Sequence, residues 1–147
     1  MPIYFYSTQG TYGCFSNFSP HRIELDGRWW PTTEHYFQAQ KFAELEHQEA
    51  IRQARSPMTA ARMGRDRKRP LRPDWNEVKD DVMRQAVLQK FATHAGIREI
   101  LLSTGDELII ENAPHDYYWG CGKDKSGKNM LGTILMEVRD QLRTVPA

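Results

Sequence analysis

The chain is poor in cysteine, with only Cys14 and Cys121 among its 147 residues. Two thiols are too few for a disulfide scaffold and too sparse for a zinc site, so a reducing, cytoplasmic setting is expected. No apolar run approaches the roughly 20 residues that span a bilayer. The opening Met1-Pro2-Ile3-Tyr4-Phe5-Tyr6 has neither the charged and apolar regions nor the cleavage site of a signal peptide. Charge of one sign is also missing. Twenty Lys and Arg against nineteen Asp and Glu leave a formal +1, which argues against a dedicated nucleic-acid binder. There is no Walker loop, no Gly-x-Gly-x-x-Gly, no Gly-x-Ser-x-Gly and no His-Glu-x-x-His. His21, His35, His47, His94 and His115 show no ligand spacing, and no metal or cofactor is implied.

What is present is material for one core. The hydrophobic fraction is 39% and the charged fraction 27%, with four Trp, six Tyr and six Phe, the composition of a globular chain. No linker or repeat divides it, so a single domain over residues 1–147 is expected. Ile3 to Tyr6 reads as a short strand. Arg22 to Leu25 and Arg28 to Trp30 flank Asp26-Gly27, a dipeptide that suits a two-residue primed hairpin turn. Pro31-Thr32-Thr33-Glu34 opens a helix expected to reach about Ala43, with a Thr cap and an acid in the first turn. Further helices are expected over 46–55, over 58–63 behind Ser56-Pro57, over 75–94 behind an Asp74 cap, and over 97–103. A strand is expected over 107–111. Leu131, Ile134, Leu135, Val138 and Leu142 then mark one buried face of a last helix. The class is α+β, mainly helical, with a small antiparallel sheet.

Four segments carry chemistry-bearing residues. On a helix, Glu34, Gln38 and Lys41 fall at i, i+4 and i+7 on one face, while His35, Ala39 and Phe42 share another. A carboxylate, an amide and an amine in one stripe can bind a polyol and move protons; equally, Glu34 can serve the helix dipole and Lys41 can be solvated. Cys14 to Pro20 places Ser16 and Asn17 between Phe15 and Phe18, as a ring-stacking loop or as an Asx turn pinned by two core rings. Asp116 to Asn129 is glycine-rich. Trp119 there could stack on a heterocycle and Asn129 could open a helix toward an anion, or the stretch is a surface loop with Asn129 as a cap. The run Arg62, Arg65, Arg67, Lys68, Arg69 and Arg72 could grip phosphate or nucleic-acid backbone, or lie solvated in a loop.

Together these segments resemble the NADAR family of YbiA-like N-glycosidases. The likeness is carried by Ser16-Asn17-Phe18-Ser19-Pro20, Thr33-Glu34-His35-Tyr36-Phe37-Gln38-Ala39-Gln40-Lys41-Phe42, Met63-Gly64-Arg65, Trp119-Gly120 and Gly127-Lys128-Asn129-Met130-Leu131-Gly132. It runs from Tyr4 to about Arg143. The resemblance implies a YbiA-like fold and hydrolysis of the C–N bond in ribosylaminopyrimidine 5′-phosphates, early intermediates of riboflavin biosynthesis. Other branches resemble ADP-ribosyl hydrolases that act on ADP-ribosylated guanine, so ADP-ribosylated nucleic acid is the alternative substrate, and a nucleotide-binding module without turnover is the non-enzymatic one. On this footing Lys41 is the expected Schiff-base nucleophile and Glu34 the proton relay, with Asp116 a second carboxylate. Asn17, Phe18 and Gln38 would line the base or ribose, Trp119 and Gly120 would form a wall, and Arg65 or amides near Asn129 would meet the phosphate.

Overall fold

A computed structural model describes residues 1–144. The chain forms two compact units: residues 1–16 together with the chain from Phe91 onward, and Asn17–Lys90.

In the first unit, strand β1 (Ile3–Phe5) pairs in parallel with β4 (Ile109–Glu111), Ile3 opposite Ile109. Two helices accompany them, α5 (Ala95–Ser103) and α6 (Met130–Arg143). The buried face of α6 is the expected one, with Leu131, Ile134, Leu135 and Val138 almost inaccessible, each contributing about 1.5–3 kcal/mol of burial. Gly132 lets α6 lie on β4, because a Cβ there would stand 2.1 Å from the Ile109 carbonyl oxygen. A second apolar layer is aromatic: the Phe15 ring, at the end of a single 3-10 turn (Gly13–Phe15), meets Phe5 at 5.8 Å and Phe91 at 6.0 Å. The parallel β1–β4 pair is not foreseen by the sequence reading, since nothing local records that two strands a hundred residues apart are partners.

The second unit begins with the antiparallel hairpin β2 (Ile23–Leu25) and β3 (Arg28–Trp30). Asp26 and Gly27 both have positive φ, 57° and 73°, as a primed two-residue turn requires. Helices α1 (Thr33–Ala39), α2 (Leu45–Arg52), α3 (Pro57–Gly64) and most of α4 (Trp75–Thr93) follow. The expected caps on α1 and α3 are present. Thr32 accepts from the His35 amide, and Ser56 accepts from the Thr59 amide. Asp74, expected to cap α4, gives its carboxylate to the Arg72 guanidinium, at 2.6 Å from Nε and 3.0 Å from Nη2.

Helix α1 is the centre of this unit, and every residue of it is buried. It ends four residues earlier than the sequence pattern suggests. The last bonds tighten to the i→i−3 type, with Lys41 N donating to Gln38 O and Phe42 N to Ala39 O. His35 fixes the helix from within: Nδ1 lies 2.8 Å from Thr32 Oγ1, and Nε2 lies 3.0 Å from the Ala54 carbonyl oxygen. Burial lowers the imidazole below its ordinary range, against the bond to Ala54. It is a structural histidine, as its place on the apolar side of the stripe suggests. The helix also packs Tyr36 on Trp30 and Phe37 on Trp75, edge to face, at 5.3 and 5.1 Å.

Candidate active site

Two polar residues of α1, Glu34 and Gln38, meet as their spacing predicts. Gln38 Nε2 donates to Glu34 Oε2 at 2.7 Å, and both side chains are buried. A carboxylate so placed is held in one rotamer and denied most of its water, which concentrates its field on its neighbours. Lys41 is one such neighbour. Burial lowers its amine below the ordinary lysine range, with the Arg65 charge acting in the same direction and the Glu34 charge opposing both. The Nζ atom reaches the Gly64 carbonyl oxygen at 3.5 Å and lies 6.0 Å from the Phe37 ring centre.

Gly64, the last residue of α3, closes this arrangement. A Cβ on it would fall 1.9 Å from Gln38 Oε1. Its bare Cα therefore lets the amide group of Gln38 lie flat against α3 with the NH₂ end toward Glu34. Gln38 Oε1 is buried and accepts no hydrogen bond from the described residues. The amide thus orients the carboxylate. Sequence reasoning noted Met63-Gly64-Arg65 without giving Gly64 this task; the signal was a glycine at the end of an otherwise ordinary helix.

Lys41 opens on a cleft of about 330 Å³, lined by Phe42, Gly64, Arg65, Asp66, Arg67, Arg69, Leu71 and Trp75 among others. The basic run of the sequence is therefore a wall of this cleft at Arg65, Arg67 and Arg69. Arg72 is apart from it in effect, since its charge is matched by Asp74. The apolar lining from Phe42, Leu71 and Trp75 has no recognisable pattern in the sequence. It arises because the loop after α3 folds back, with the Arg72 amide donating to the Lys41 carbonyl at 2.8 Å.

Asn17 stands at the N-terminus of α1. Its Oδ1 accepts from Thr33 Oγ1 at 2.9 Å, its carbonyl accepts from the Glu34 amide at 3.2 Å, and Nδ2 points at Met83 Sδ, 3.5 Å away. It therefore sets the start of the helix that carries Glu34. Phe18 is half-buried beside it in sequence.

The remaining candidate residues lie in the first unit, in the loop between β4 and α6. Asp116 Oδ1 accepts from the amides of Tyr118, at 3.0 Å, and Trp119, at 2.8 Å. Trp119 is half-buried, its ring 4.9 Å from that of Tyr118. At Gly120 a Cβ would meet the Ala113 side chain at 2.8 Å. Asn129 takes the left-handed conformation, φ 54°. Its Oδ1 accepts from the Glu111 amide and its Nδ2 donates to the Ile109 carbonyl, both at 2.9 Å. It makes no side-chain cap on α6; its amide instead extends β4 by two bonds.

Comparison with known proteins identifies the family and the fold. Residues 4–143 match the NADAR domain family. An N-glycosidase of Nostoc punctiforme is 53% identical over 148 residues, covering 99% of this chain and 95% of the relative. N-glycosidase YbiA of Escherichia coli is 54% identical over 140 residues, covering 95% of this chain and 88% of its own length. The NMR structure of that protein matches with a TM-score of 0.89 over 96% of this chain and 84% of its own. The chloroplastic riboflavin biosynthesis protein PYRR of Zea mays is 43% identical over 161 residues, which cover 99% of this chain but 26% of the maize protein.

Proposed function

The chain belongs to the NADAR family and is a hydrolase of the N-glycosidase type, and we propose that it cuts the C–N bond between ribose 5-phosphate and the pyrimidine amine of early riboflavin intermediates. The name of the maize relative supports this substrate class. The observation that carries the mechanism is the Lys41 amine, depressed by burial, beside the buried Glu34 and open to a cleft. We take residues 1–147 as one functional domain, in keeping with a family match that runs from 4 to 143. Cys14 and Cys121, which form no disulfide among the described residues, favour a cytoplasmic setting.

In the proposed route the ribosylamine opens to its acyclic imine, which exposes C1′. The neutral Lys41 Nζ adds to C1′, giving a carbon that bears both nitrogens. The Glu34 carboxylate carries the two Nζ protons in turn to the pyrimidine nitrogen, the bond from C1′ to that nitrogen breaks with its electron pair leaving on the amine, and a Lys41–C1′ imine is left. Water adds to the imine while Glu34 carries its two protons in turn to Nζ, and collapse returns free Lys41 and the aldehyde of ribose 5-phosphate. A low amine pKa serves this route because only the deprotonated lysine has the lone pair that attacks.

Incubation with freshly prepared 5-amino-6-(5-phosphoribosylamino)uracil tests the reading, with ribose 5-phosphate release followed by mass spectrometry against a protein-free blank. Release above the blank and a borohydride-trapped adduct on Lys41 are expected, and both vanish in Lys41→Met. Substantial turnover by Lys41→Met would overturn the covalent route and leave a direct oxocarbenium-like displacement. A second reading is favoured by one feature: three guanidinium groups, Arg65, Arg67 and Arg69, along the cleft exceed what one phosphate demands. An ADP-ribosylated guanine nucleotide run in the same assay distinguishes an ADP-ribosyl hydrolase, with its nucleic-acid partner, from the riboflavin reading.

A further inference from the structure

We propose that Arg69, oriented by His47 and Glu44 and flanked by Arg67, forms a phosphate-binding subsite in the cleft that Lys41 shares. Arg69 Nη1 donates to His47 Nδ1 at 2.7 Å. The other ring nitrogen, Nε2, lies 2.9 Å from the Glu44 carboxylate. An arginine can only donate, so Nδ1 must present its lone pair, which leaves the proton on Nε2 to be given to Glu44. The ring is steadied by Phe42, 5.8 Å away, which also lines the cleft.

This chain holds the guanidinium without neutralising it. Arg72, three residues on, shows the alternative: Asp74 takes its Nε and Nη2 and cancels its charge. Arg69 instead rests on a neutral imidazole, so its positive charge stays available to a ligand, and the carboxylate that stabilises the arrangement lies one residue further back. Arg65 and Arg67 add two more cations to the cleft lining, against the single carboxylate of Asp66. One oxygen of Asp66 is already engaged, accepting from the Lys68 amide at 3.0 Å. A pocket with this balance selects an anion, and a forked guanidinium held from behind suits the tetrahedral, multiply charged oxygens of a phosphate group.

The subsite deepens the N-glycosidase reading by placing the substrate's phosphate, and it rests on that reading only for the identity of the sugar attached. Its test separates the two. Inorganic phosphate is titrated into the full chain by NMR, beside Arg69→Gln, Arg69→Lys and His47→Phe, with acetate as the competing carboxylate and thermal melting as the folding control. Arg69→Gln is expected to weaken phosphate about tenfold, the loss of one charge-assisted bond, and Arg69→Lys to recover only part of it. His47→Phe, which keeps the ring on Phe42 but removes the acceptor, is expected to fall between. In turnover, Arg69→Gln shrinks the preference for a phosphorylated over an unphosphorylated ribosylamine by a similar factor, through KM. Phosphate affinity within twofold of the parent in folded Arg69→Gln, or acetate bound as tightly as phosphate, would overturn the subsite. Phosphate binding that depends on Arg69 in a protein that turns over no ribosylamine would keep the subsite and sink the glycosidase reading.

Discussion

The stripe Glu34–Gln38–Lys41 and the loop Asp116–Asn129 look alike in the sequence: both mix carboxylates, amides and lysines. They differ in where the polar groups are spent. In the loop the side chains turn onto their own backbone, Asp116 onto the Tyr118 and Trp119 amides and Asn129 onto β4. Backbone bonds complete the knitting, from the Asn129 amide to Gly120 and from the Lys128 amide to Tyr117. Along α1 the Gln38 side chain meets that of Glu34, and the Lys41 amine stands at a cleft, its bond to the Gly64 carbonyl long at 3.5 Å. A polar group already bonded to its own chain has done its work at folding, whereas a buried group under charge and burial stress is poised for chemistry.

The sharpest way to break this comparison is at Glu34. Glu34→Gln keeps the shape and removes the charge and the proton, so kcat is expected to fall by about 10²–10⁴. The same substitution acts on Lys41 without substrate. The Glu34 charge holds the amine up, while burial and Arg65 push it down. Removing Glu34's charge therefore lowers the Lys41 pKa further, and Arg65→Gln raises it. The pH dependence of Lys41 acylation, read by mass spectrometry, should move to lower pH in Glu34→Gln and to higher pH in Arg65→Gln. Movement of both in one direction would mean that the two charges do not act on Lys41 as the geometry places them.

A smaller effect is expected at Gly64. A methyl there collides with Gln38 Oε1, at 1.9 Å before any adjustment, and overpacking of this kind costs about 1–3 kcal/mol. Gly64→Ala should therefore lower the melting temperature and kcat together. Adding Gln38→Ala removes the obstructing amide, so stability should recover in the double variant. Activity should not recover, because Glu34 has lost its donor. If kcat returns along with stability, Gln38 is packing material and Glu34 needs no orienting partner.

How much of this was legible beforehand follows from range. The hairpin turn, both helix caps on α1 and α3, and the buried face of α6 rest on neighbours within a few residues, and each is where local chemistry puts it. The stripe from Glu34 to Lys41 was legible for the same reason: Gln40 keeps helical dihedrals after the helix ends, so the spacing still counts faces correctly. What could not be read depends on partners far apart in the chain. Gly64 matters only because it meets Gln38, Arg69 only because it meets His47, and β1 only because it meets β4. Asn129 differs in another way. It holds the cap position of α6, yet its side-chain amide bonds the strand and makes no side-chain cap.

The smallest expected effect falls on Asp116, where the comparison is most exposed. If its duty is the turn, one oxygen suffices, and Asp116→Asn keeps an acceptor for the Tyr118 and Trp119 amides. Such a variant should lose under about 1 kcal/mol of stability and less than tenfold in kcat. Asp116→Ala orphans both amides and should cost about 1–3 kcal/mol, with activity per folded molecule following Asp116→Asn. The carboxylate's second oxygen is the point at issue. Were it to hold ribose hydroxyls or share the proton transfers, Asp116→Asn would fold as the parent does and yet drop kcat by a hundredfold or more. Equal melting curves with so unequal rates would show that a residue can serve its own loop with one oxygen and the substrate with the other.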